Sequence, residues 1–134
     1  MKMVAYLVAL SCAAVSLPVA AQEDPKWLSK QEVEATLSGK IVRFTRPRDG
    51  NTIRWDIRSD GSIYHSNQTR PGGGTSVSGN WEAREDGGFC AKFRDDPTGA
   101  GTCTYYYLND GNLKRTFART PESVPSAVSI EFVK

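Results

Sequence analysis

A chain of 134 residues with 17 Lys and Arg against 15 Asp and Glu carries a formal charge of +2, and that length suits one domain around one core. So small an excess excludes the strongly basic surface on which phosphate-driven nucleic-acid binding relies. A single histidine, His65, excludes a paired-histidine zinc site.

The chain opens as an export leader: Lys2 is a short positive start, residues 4–17 are almost wholly apolar, and Pro18 breaks the run. Val19, Ala20 and Ala21 place small residues where a signal peptidase requires them, so cleavage is expected after Ala21. An uncleaved anchor would need about 20 apolar residues, which Pro18 cuts short. Lipid modification of Cys12 is disfavoured by the bulky Leu10 before it. The expected product is a single domain of residues 22–134, without a membrane span, periplasmic or secreted, whose charge falls to +1 with the loss of Lys2. Of three cysteines it keeps Cys90 and Cys103, which an oxidising compartment is expected to join. That bridge would close a loop of about 14 residues, worth roughly 3 kcal/mol in the chain-entropy account.

Ser29 stands three residues before Glu32, the spacing of a reciprocal helix cap, and a short helix follows with Val33 and Leu37 on one face and Gly39 as its stop. From Ile41 the period becomes two. Ile53, Trp55 and Ile57 alternate with Arg54, Asp56 and Arg58, Val77, Trp81 and Ala83 with Ser78, Asn80 and Glu82, Phe89, Ala91 and Phe93 with Lys92 and Arg94, and finally Val128, Ile130 and Phe132 with Ser129 and Glu131. Asp49-Gly50, Asp60-Gly61, Asp86-Gly87 and Asp110-Gly111 supply turns between antiparallel neighbours. Eight strands are expected, over 41–46, 52–58, 62–69, 77–84, 89–94, 102–108, 113–119 and 127–133. The fold class is all-β: an eight-stranded antiparallel meander closing as a small barrel, with a short N-terminal helix. A two-layer β-sandwich fits the same alternation. Residues 70–78 read as a mobile, glycine-rich loop.

The candidate chemistry is sparse. His65 would be the base of any nucleophilic triad, but no serine lies in a strand-to-helix glycine elbow. His65 faces out if Asp60-Gly61 is a two-residue turn and in if a three-residue loop bulges at Gly61, and the sequence leaves both open. Asp95-Asp96 read as turn residues and not as a facing carboxylate pair. Gly72-Gly73-Gly74 near Arg70 lacks the lysine and helix start of a phosphate loop. Asn67-Gln68-Thr69 is an acceptor for N-glycosylation only in a cell that uses such sites. No cofactor, metal or catalytic residue is assigned.

Register through Asp110-Gly111 pairs Leu108 with Leu113, placing Thr104, Tyr106 and Phe117 inward and Cys103, Tyr105 and Tyr107 outward. On the preceding strand Cys90, Lys92 and Arg94 also fall outward, so both cysteines share a face. Tyr105, Tyr107, Lys92, Arg94 and Lys114 then form the expected partner-binding face, aromatic and basic, suited to an unknown envelope or extracellular protein or a glycan. The bland alternative is that these tyrosines only stabilise cross-strand pairs.

The cap and helix ending Leu37-Ser38-Gly39-Lys40, then Trp55, Asp60-Gly61, Ser78-Gly79-Asn80-Trp81, Cys90 and Cys103-Thr104-Tyr105, resemble small secreted alphaproteobacterial β-barrel proteins of unknown function. That resemblance implies a periplasmic setting and transfers no catalytic residue. The general plan is also similar to small periplasmic inhibitors of proteases or lysozymes, though no inhibitory loop motif matches.

The expected function is a non-catalytic periplasmic or secreted binding or interaction protein. A barrel holding a small apolar ligand is the alternative, with an envelope inhibitor of a protease or lysozyme, or a carboxylate hydrolase, behind it. Against the ligand barrel, Phe44, Trp55, Trp81, Phe89, Phe93, Phe117 and Phe132 are expected to fill an interior only just wide enough for side chains.

Overall fold

In the computed structural model, which describes residues 14–16, 25–69 and 76–134, alternation becomes ten short antiparallel strands and one helix. The leader's cleavage site, Cys12 and the triple glycine lie outside the described residues. The helix α1, Lys30–Leu37, starts where its cap requires: Glu32 N–H donates to Ser29 Oγ, and Glu32 Oε2 accepts from Ser29 N–H. Val33 and Leu37 are fully buried.

The strands follow in chain order, β1 (Lys26–Trp27), β2 (Lys40–Thr45), β3 (Thr52–Ile57), β4 (Ser62–Asn67), β5 (Val77–Ala83), β6 (Phe89–Phe93), β7 (Thr102–Asn109), β8 (Asn112–Thr116), β9 (Val128–Ser129) and β10 (Glu131–Phe132). Each of β2 to β8 pairs with the next, forming a single continuous sheet and not two stacked layers. Closure falls to the C-terminal segment: β9 pairs with β8, β10 pairs with β2, and the chain steps between them at Ile130. The result is a nearly closed all-β barrel. A 3-10 helix, Pro121–Ser126, carries the chain from β8 to this seam.

Two departures from the eight expected strands have plain causes. β1 is held by register with β7 and by Leu28 N–H donating to the Tyr106 carbonyl, and two residues are too few to show a period. The last strand is split because it serves two neighbours in turn. Turn length also varies behind one dipeptide. Asp110-Gly111 is the two-residue turn between Asn109 and Asn112, whereas Asp60-Gly61 belongs to a three-residue loop, with Arg58 N–H donating to the Ser62 carbonyl. Ile57 therefore pairs with Ile63, and His65 faces the interior, opposite Trp55.

Cys90 pairs directly with Cys103, and the two are joined as a disulfide. No helix among the described residues is long and apolar enough to cross a membrane. A disulfide-bearing barrel is compatible with an oxidising compartment.

The core runs along the barrel axis. Lys30 pairs with Glu85 at 3.0 Å, which fixes α1 over the end where β5 turns into β6. Beneath it Phe89 stacks on Trp81 at 5.3 Å and on Trp55 at 5.8 Å and meets the edge of Tyr106 at 6.0 Å. Two of the aromatics expected to fill the interior do not: Phe117 is 69 % exposed and Phe132 is 42 % exposed. Phe117 lies one residue beyond the end of β8, and Phe132 lies past the step at Ile130, where facing inward no longer means being enclosed.

Candidate functional site

Among the described residues, the end of the barrel opposite α1 is open. A cavity of about 530 Å³ enters between the end of β2, the start of β3 and the ends of β4, β6 and β8. Its walls are mainly Phe44, Ile53, Trp55, Phe93, Phe117 and Val128. The space exists because three interior positions facing it, Ala91, Thr102 and Val128, carry small side chains. Its volume lies within the roughly 300 to 1,000 Å³ of small-molecule sites.

One charged side chain occupies the wall of this apolar space. Arg115 pairs in register with Tyr106 on β7 and Val128 on β9, which turns its side chain inward. Its guanidinium lies 4.5 Å from the centre of the Phe44 ring, 4.7 Å from that of Trp55 and 5.3 Å from that of Phe117. Solvent reaches part of the residue through the cavity, and the guanidinium hydrogen-bonds the Tyr106 phenol, yet its Nε is buried and has no hydrogen-bond partner among the described residues. Among the described residues no carboxylate forms an ion pair with it. Burial pushes its pKa below the ordinary arginine value, opposed by the neighbouring Tyr106 phenol. Burial in turn pushes the Tyr106 phenol up.

His65 lines the same cavity. Trp55 Nε1–H donates to His65 Nδ1 at 3.1 Å, so the neutral ring carries its proton on Nε2. Burial lowers its pKa, aided by the charges of Arg46 and Arg115 and opposed by Asp95. At the rim Arg46 is engaged by Asp49 at 2.5 Å. Asp96 accepts from Thr98 and Gly101, which ties down the loop after β6 and holds its carboxyl below the usual range. Both Asp95 and Asp96 lie along the cavity wall.

The face expected from register is not assembled as one surface. Tyr107 does point away from the interior, but Trp27 of β1 covers it at 5.2 Å and leaves it 4 % exposed. Tyr105 is half-buried, and its hydroxyl donates to Asp86 at 3.1 Å, which raises its pKa. Lys114 Nζ donates to Ser129 Oγ. Lys92 and Arg94 are exposed and line a shallow groove on β5 and β6, with Ser78, Gly79 and Asn80. The set is thus divided between a covered tyrosine, two internally bonded positions, Tyr105 and Lys114, and a separate groove.

Arg115 is not among the residues expected from the sequence, although alternation along β8 places it inward. It stands two residues beyond buried Leu113 on the same face of β8 and opposite buried Tyr106, so the register that turns Leu113 inward turns Arg115 inward as well. No family model, curated protein or solved structure matches the chain.

Proposed function

We propose that this protein is a non-catalytic binding protein exported to an oxidising compartment, and that it takes a small, largely apolar molecule into the open end of its barrel. One observation carries the reading: a cavity of about 530 Å³ with aromatic and aliphatic walls, continuous with the core and open at one end. Sites of this size and lining commonly bury most of a small ligand's surface, with a few polar groups to orient it. The apolar leader and the Cys90–Cys103 bridge support export.

The test uses the mature, oxidised protein and the neutral fluorophore N-phenyl-1-naphthylamine. Saturable one-to-one binding is expected. Ser126→Trp, an exposed rim position facing the cavity, should abolish binding without shifting the unfolding midpoint. Absence of binding, or binding indifferent to Ser126→Trp, would overturn the reading.

A further inference from the structure

Resting on that reading, we infer that the ligand carries a carboxylate, and that Arg115 is the group that receives it. The inference starts from an imbalance. A guanidinium removed from bulk water is ordinarily matched by an anion, because its desolvation is otherwise uncompensated. Arg115 is surrounded instead by Phe44, Trp55 and Phe117, and its buried Nε is unpartnered. The ring faces hold the planar cation in position, and the Tyr106 phenol is its one hydrogen-bonding neighbour among the described residues, which leaves Nε without an acceptor. We assign that missing acceptor to the cavity.

The class of anion follows from the other groups around the cavity. A guanidinium edge matches the two oxygens of a carboxylate, with two parallel N–H donors to two acceptors. One Arg balances one negative charge. A dianionic phosphate would bring a second charge into a space whose wall also carries Asp95 and Asp96, while Arg46 and Arg48 at the rim both face Asp49. The Nε2–H of neutral His65 offers a further donor on the same cavity. The body of the ligand would lie against Phe93, Ile53 and Val128, so the chemistry is that of a small monocarboxylate with an aromatic or aliphatic body.

Three probes sharing one ring system separate the possibilities: 2-naphthoate, neutral 2-naphthalenemethanol and 2-naphthyl phosphate, titrated by calorimetry and by Trp fluorescence at pH 7. Charge-assisted hydrogen bonds to a sheltered guanidinium predict naphthoate binding about 10- to 100-fold tighter than the alcohol. In Arg115→Met that ratio should fall to about one while the alcohol's affinity holds. Arg115→Lys, which keeps charge but loses the fork, should fall between. Equal affinity of naphthoate and alcohol for the wild type, or a preference that survives Arg115→Met, overturns the carboxylate assignment and leaves the apolar cavity intact. Phosphate binding at least tenfold tighter than naphthoate also overturns it. If neither naphthoate nor the alcohol binds, the cavity reading itself fails, and the inference falls with it.

Discussion

Replacing Arg115 by methionine should make the protein more stable. The stem of Met occupies much of the same space against Phe44 and Trp55, and no ion pair is lost, since none of the described carboxylates pairs with Arg115. Withdrawing a charge of this kind from water costs several kcal/mol after relaxation. Solvent entering through the cavity lowers that figure, and the three ring contacts return about 0.5 to 1 kcal/mol each. The balance is a gain of about 1–2 kcal/mol in the variant. With a urea m-value of about 1.5 kcal/mol/M for a domain this size, the midpoint should rise by roughly 1 M at unchanged slope. The assay is equilibrium urea unfolding of oxidised wild type and Arg115→Met at pH 7, followed by far-ultraviolet circular dichroism. Destabilisation by more than about 1 kcal/mol would refute the reasoning, because it would mean that the guanidinium holds the barrel together. Naphthoate at 100 times its wild-type Kd should close the gap, because it stabilises the wild type by about 2.7 kcal/mol and the variant, which binds it about 10- to 100-fold more weakly, by only about 0.4 to 1.4 kcal/mol.

Reducing the Cys90–Cys103 bridge, or replacing both residues by alanine, should remove about 3 kcal/mol, since the sequence separation of 13 closes a ring of about 14 residues; an unfolding midpoint insensitive to reductant would contradict this. Gly87→Ala should cost about 2–4 kcal/mol: its φ is +83° and an added Cβ would stand 2.2 Å from the Leu28 carbonyl, where the β1–α1 connection crosses the turn. Gly50→Ala, at φ +69° but with open space around the new atom, should cost only about 1–2 kcal/mol, and equal losses at the two sites would remove the steric part of the argument. His65 is held neutral among Trp55, Phe93, Arg46, Arg115 and Asp95, with its pKa lowered from 6.5, so its contribution is complete above about pH 6.5 and declines as the pH falls below that value. The lowered carboxylates Asp49, Asp60, Asp86 and Asp96 keep theirs until the pH drops below 3.8. His65→Gln should therefore flatten the midpoint's pH dependence in the window just below about pH 6.5, and an unchanged slope there would count against the burial argument.

What the sequence disclosed depended on whether the cause was local. Alternation around Ile53, Trp55 and Ile57 and the shared outward face of Cys90 and Cys103 are properties of neighbouring residues, and both are present in the structure. The cap at Ser29 is likewise local. Tyr107 was misjudged as exposed because Trp27, eighty positions earlier, lies over it, and two residues of β1 leave no periodic trace. The length of each Asp-Gly loop was also illegible, since the dipeptide fits a two-residue turn at Asp110 and a three-residue loop at Asp60 alike. Arg115 is legible in the sequence: it shares the inward face of β8 with Leu113, and a charge at an inward position is more informative than an apolar residue there.

The cavity follows from how the bulky side chains are distributed along the axis, which their number alone does not reveal. An eight-stranded closed sheet encloses roughly enough room for its own interior side chains, so crowding at one end is compensated by space at the other. Phe89, Trp81 and Tyr106 gather at the α1 end, where Val33 and Leu37 seal them. Across the axis Ala91, Thr102 and Val128 leave the other end unfilled. Two aromatics that could have closed it, Phe117 and Phe132, are carried outward where β8 ends and where the last strand steps to β2. Neither burial nor charge pairing among the described residues then accounts for Arg115 at that end. A core shaped only for stability would place an apolar residue there, and the stability forgone by keeping the guanidinium is recovered when an anion enters the barrel.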